Sequence, residues 1–84
     1  MSIKVLIADD HEVVRTGLRT LVAGTDVEIV GETASGAAAV ELAEKLRPDV
    51  VILDVRLPDL DGLTALSRIK ASRPETQVMI LSTY

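Results

Sequence analysis

At 84 residues, with 48% apolar residues and a net charge of −4, the chain is long enough for one domain and too apolar for a disordered one. It has no Cys, Phe or Trp and a single Tyr, which excludes disulfides, thiolate metal sites and aromatic stacking on bases, and its nine Lys and Arg are scattered rather than gathered into a nucleic-acid surface. No apolar run exceeds five residues and Asp9-Asp10 come too early for a signal peptide, so no membrane span is expected and the expected setting is cytoplasmic.

Ile3–Ala8 is a β-branched apolar run stopped by Asp9-Asp10, the pattern of a buried strand. Over residues 11–23, Val14, Leu18, Leu21 and Val22 fall at i, i+4, i+7 and i+8, one face of a helix. Asp10 or His11 stands at its N-terminus, and Gly24 suits its C′ position. Residues 27–32 form a second strand. Ser35 is then an N-cap for a helix over Gly36–Leu46, whose Ala39, Leu42, Ala43 and Leu46 repeat with helical period and which Pro48 stops. Residues 50–53 are continuously apolar, as in a strand covered on both faces, and Asp54 ends it. Residues 55–62 hold a Pro, a Gly and two Asp and read as a loop; Leu63, Leu66 and Ile69 mark a third helix that ends before Pro74. Residues 78–81 are a fourth strand of the buried type. The order βαβαβαβ predicts a three-layer α/β/α sandwich on a mostly parallel sheet.

In such a sheet the strand C-termini share one edge, where ligands bind. Asp9-Asp10, Asp54 and Ser82-Thr83 all arrive there. If the first and third strands are neighbours, three carboxylates converge, and like charges that close need a cation. An oxygen-only set points to a hard divalent ion, Mg2+ before Ca2+. Carboxylates beside a hydroxyl suit phosphoryl transfer: one attacks, the ion neutralises the phosphoryl oxygens, and the hydroxyl donates to one of them. Any single Asp after a strand is ordinarily a turn residue or cap, so the combination carries the argument. Asp59 and Asp61 read as turn chemistry, His11 as a helix cap or flank, and Arg15, Arg19, Arg47, Arg68 and Arg73 as solvated helix faces or ends. Gly31 and Gly36 have P-loop spacing, but Ala37-Ala38 stand where Lys and Ser/Thr are required, which excludes that motif.

Residues 7–11 (Ile-Ala-Asp-Asp-His), Leu53-Asp54-Val55-Arg56-Leu57-Pro58, Asp61-Gly62-Leu63 and Ile80-Leu81-Ser82-Thr83-Tyr84 together resemble the receiver domain of bacterial two-component response regulators. Residues 9–18 look most like the NarL/FixJ subfamily, in which a LuxR-type helix-turn-helix domain follows the receiver. The resemblance implies a flavodoxin-like fold with strand order 2-1-3-4. It implies that Asp54 accepts a phosphoryl group from a histidine kinase, with Mg2+ held by Asp9, Asp10, Asp54 and the Arg56 backbone carbonyl. Ser82, or less directly Thr83, becomes the switch hydroxyl. Pro58 and Gly62 shape the loop beside the site.

Against that family, residues 1–84 read as the N-terminal two thirds of the domain, without the last strand, its phosphate-pairing Lys and the last two helices. The fourth strand is then an open apolar edge, and the expectation is self-association through that region. DNA binding belongs to a C-terminal domain outside this segment. Two rival readings are a phosphorylation-independent interaction module and a Mg2+-dependent phosphatase of the haloacid dehalogenase type. The phosphatase wants an acidic proton donor two residues after its nucleophile, where this chain has Arg56, so the segment reads as a signalling domain rather than an enzyme.

Overall fold

A computed structural model describes residues 2–81. Its elements run β1 (Ile3–Ala8), α1 (Glu12–Val22), β2 (Val27–Thr33), α2 (Gly36–Leu46), β3 (Val50–Asp54), α3 (Gly62–Ser72) and β4 (Gln77–Leu81). The four strands form one sheet in the order β2-β1-β3-β4, and every neighbouring pair is parallel. The chain steps one way from β1 to β2, then crosses back over β1 to β3 and on to β4. With right-handed crossovers, that reversal puts α1 on one face and α2 and α3 on the other. The switch point lies between β1 and β3, where Ala8 sits opposite Leu53.

The main core fills the space between the sheet and α2/α3. Leu6 and Ala8 of β1 and Val51 and Leu53 of β3 meet Ala39 and Ala43 of α2 and Ala65 and Ile69 of α3, all fully buried. Alternation along β1 sends Val5 and Ile7 to the α1 side, also buried. Small residues on α2 and α3 let both helices lie close to the sheet. The helix ends follow local chemistry. The Ser35 hydroxyl accepts from the Ala38 amide at 3.1 Å, and the Asp61 carboxylate from the Leu63 amide at 3.2 Å. Arg47 takes a left-handed conformation (φ 49°) to end α2 before Pro48. Gly24, at φ 79°, does the equivalent work after α1.

One expectation changes. Leu21 does not join the buried face of α1: it is 77% exposed, and α1 buries none of its residues fully. The half-buried positions are Val14, Arg15, Leu18 and Val22, which share an arc of about 100° on the helix. Arg15, read from sequence as solvated, therefore stands in the inward stripe and Leu21 lies outside it. Arg15 has polar partners on that side: its guanidinium donates to the Asp9 carbonyl and its Nε lies 3.5 Å from Glu32. β4 forms as the open apolar edge expected of it: among the described residues it pairs with β3 alone, and Met79 is 56% and Ile80 38% exposed.

Candidate metal centre at the carboxyl edge of the sheet

Because β1 and β3 pair in register up to Ala8 and Leu53, Asp9 and Asp54 leave the sheet side by side. Both are fully buried. Each has one oxygen tied to backbone. Asp9 Oδ1 accepts from the His11 amide at 2.8 Å, and Asp54 Oδ1 accepts from the Arg56 amide at 2.9 Å. These i to i+2 bonds are the turn chemistry by which a carboxylate closes the bend after a strand. The other two oxygens, Asp9 Oδ2 and Asp54 Oδ2, have no hydrogen-bond partner. Buried carboxylate oxygens without a donor are costly, and a cation is what such a pair lacks. Asp10 adds a third carboxylate, with its side chain 34% exposed, at the solvent side of the pair. The three carboxylates named from the sequence therefore meet in one place.

His11 departs from expectation. It does occupy the N-cap position of α1, but its side chain caps nothing there. Instead its ring turns into the carboxylates: Nδ1 lies 3.0 Å from Asp9 Oδ1, 3.1 Å from Asp10 Oδ1 and 3.8 Å from Asp54 Oδ2. The hydrogen bond with Asp9 and the charge of Asp10 raise its pKa above 6.5. Asp9, Asp10, His11 and Asp54 thus cluster, each with one atom able to ligate a metal within 4.8 Å of the others, so a ring nitrogen stands among the oxygens. One sequence signal existed: a residue one position after Asp10, just before a helix starting at Glu12, is carried over the strand ends by the turn itself. Which way its ring points is a rotamer choice that periodicity does not encode.

The loop over the site is pinned from two sides. Asp59 reaches α2, accepting from the Ser35 hydroxyl at 2.7 Å, the Gly36 amide at 2.8 Å and the Ala37 amide at 3.2 Å. These bonds at a helix N-terminus hold its carboxyl down at about 2. Asp59 thus makes a long-range clamp, more than the local turn expected of it, while Asp61, also read as a turn residue, caps α3. Gly62 opens α3 against the strand end: a Cβ there would stand 2.6 Å from the Asp54 carbonyl oxygen. Arg56 enters the site through its amide on Asp54. Ser82 and Thr83 lie outside the described residues.

Residues 5–84 match the response regulator receiver domain family. The chain is 42% identical over 85 residues to the response regulator protein VraR of Staphylococcus aureus, covering all of this chain and 41% of VraR. It therefore spans about two fifths of the length of that curated relative. Among solved structures, it is similar to the signal receiver domain of the putative response regulator NarL from Mycobacterium tuberculosis, with 36% identity and a TM-score of 0.89 over 99% of this chain and 68% of that one. It is also similar to the isolated receiver domain of RcsB from Salmonella enterica serovar Typhimurium, determined in the presence of the phosphomimetic BeF3−, with 31% identity and a TM-score of 0.89 over 100% of this chain and 64% of that one.

Proposed function

Because the chain belongs to the response regulator receiver domain family, we propose that its acidic pocket is a phosphoryl-acceptor site and that Asp54 is the acceptor. The observation that carries this reading is the pair of buried, unpartnered oxygens, Asp9 Oδ2 and Asp54 Oδ2, beside Asp10. The Arg56 amide holds Asp54 Oδ1 and so fixes the carboxylate's orientation, leaving Oδ2 as the oxygen with an open lone pair. That oxygen attacks phosphorus, the bond from phosphorus to the donor's nitrogen or oxygen breaks, and its electron pair leaves with the donor. Asp9 and Asp10 supply the charge to hold Mg2+, with Asp54 and the Arg56 carbonyl completing the set; the ion, when bound, neutralises the phosphoryl oxygens.

In this reading Ser82, or failing it Thr83, is the hydroxyl that donates to a phosphoryl oxygen. The physiological donor is a histidine kinase in the cytoplasm. The 84 residues form the N-terminal two thirds of a receiver domain, a proportion supported by the 68% coverage of the solved NarL domain. The output is control of a DNA-binding domain elsewhere in a longer protein, and the segment itself serves signalling rather than turnover. No described helix is long and apolar enough to cross a membrane. A second copy of the chain is the partner proposed for the open β4 edge.

Beryllofluoride, a mimic of the phosphoryl group, tests the acceptor. With Mg2+ it should shift the amide resonances of residues 9–11 and 54–56, and Asp54→Asn should abolish those shifts. Shifts that persist unchanged in Asp54→Asn would move the acceptor elsewhere.

A further inference from the structure

The acceptor-site reading asks only for oxygen ligands, and His11 has no part in it. Yet its Nδ1 stands 3.0 Å from Asp9 Oδ1 and 3.1 Å from Asp10 Oδ1. Two ligands at right angles on an ion with bonds of ~2.1 Å lie ~3 Å apart, and two opposite ones ~4.2 Å apart. The 3.8 Å from Nδ1 to Asp54 Oδ2 falls between these limits. All three distances from Nδ1 thus suit ligands of one ion, and one ligand atom from each of the four residues lies within 4.8 Å of the others. Two buried oxygens of the same cluster, Asp9 Oδ2 and Asp54 Oδ2, have no hydrogen-bond donor, an independent sign that the pocket is built around a cation. The ring is 52% exposed, so it can adjust by small rotations without disturbing the core.

We infer that His11 is a nitrogen ligand of this pocket, and that the site takes first-row transition ions such as Ni2+, Zn2+ or Mn2+ in preference to Mg2+. This rests on the acceptor-site reading and extends it to which ion is held. Imidazole favours these ions, while Mg2+ keeps to oxygen and water and gains little from a nitrogen donor. On binding, Nδ1 gives up its hydrogen bond to Asp9 and its charge contact with Asp10 and donates its lone pair to the metal, and any proton it carries passes to solvent. With Mg2+ the ring instead has to withdraw, because its Nδ1 occupies space among the carboxylates that the ion needs.

Calorimetric titration of the chain with Ni2+ and with Mg2+, in wild type, His11→Ala and Asp9→Asn, tests this. His11→Ala should weaken Ni2+ binding by at least about tenfold, the lower end of what losing even an outer-shell partner costs, and leave Mg2+ binding unchanged or tighter. His11 is the only histidine of the chain, so a Zn2+-induced shift of its Nδ1 resonance reports ligation directly. Equal Ni2+ affinity in wild type and His11→Ala, or equal losses for both ions, overturns the His11 ligand and leaves the acceptor site standing. If Asp9→Asn changes neither ion, the metal lies elsewhere and both readings fall.

Discussion

A carboxylate with one oxygen bonded to a backbone amide and the other bare is half a binding site; Asp9 and Asp54 are two such halves facing each other. The Asp in each position was legible, because each ends a strand whose apolar run leaves no doubt about its edge. His11 and Arg15 were not legible. Both belong to α1 or its cap, and a helical wheel gives a charged or ring side chain to solvent unless a polar partner waits inside. Here the Asp9 carbonyl and Glu32 wait for Arg15, and the carboxylates wait for His11. Asp59 gives a prediction at this scale. Its folded pKa of about 2 lies below its ordinary 3.8, so its contribution to stability is complete above 3.8 and fades as pH falls toward 2. Asp59→Ala should lower the melting temperature at pH 6, and the gap from wild type should close over that acid window. A gap of constant size at every pH would contradict the clamp on α2.

Among the elements, β1, α2 and β3 were readable because apolar pattern and burial largely agree in them, whereas α3 was placed by its pattern although Leu63 is 56% exposed. The packing of α3 on the strand end was not readable, since Gly62 reads equally well as a turn glycine. Its missing side chain is what lets α3 start against the Asp54 carbonyl, where a Cβ would meet backbone at 2.6 Å. Gly62→Ala should therefore cost ~1–3 kcal/mol through overpacking. By moving the Asp54 backbone it should also weaken Mg2+ binding. Urea midpoints and Mg2+ titration check both; wild-type behaviour in each would mean that the loop yields and the helix does not position Asp54. Exposure of apolar side chains in α1, unexpected, and in β4, expected of an open edge, has one reason, which is that burial of a face depends on what is packed against it. Leu21, Met79 and Ile80 are apolar and open because no described element covers them.

At the scale of the molecule, the sheet has one well-filled side and one thinly covered side, and among the described residues β4 is its edge strand. Covering a few hundred Å² of apolar surface is worth several kcal/mol at ~25 cal/mol/Å², comparable to the whole stability of a small domain. The 84 residues should therefore self-associate at micromolar concentration, and sedimentation of a compact monomer with cooperative unfolding would contradict this. The three-layer order and the reversal between β1 and β3 matter most for function, because they alone bring Asp9 to Asp54 across 45 positions of sequence. The central claim is that Asp54 takes a phosphoryl group there, and intact mass after acetyl phosphate and Mg2+ tests it most directly. In a form carried to the length of the solved receiver domains it matches, the chain should gain ~80 Da, the mass of one phosphoryl group on a carboxylate nucleophile, and lose that gain in Asp54→Asn. Wild-type labelling of the Asp54→Asn protein would contradict the account.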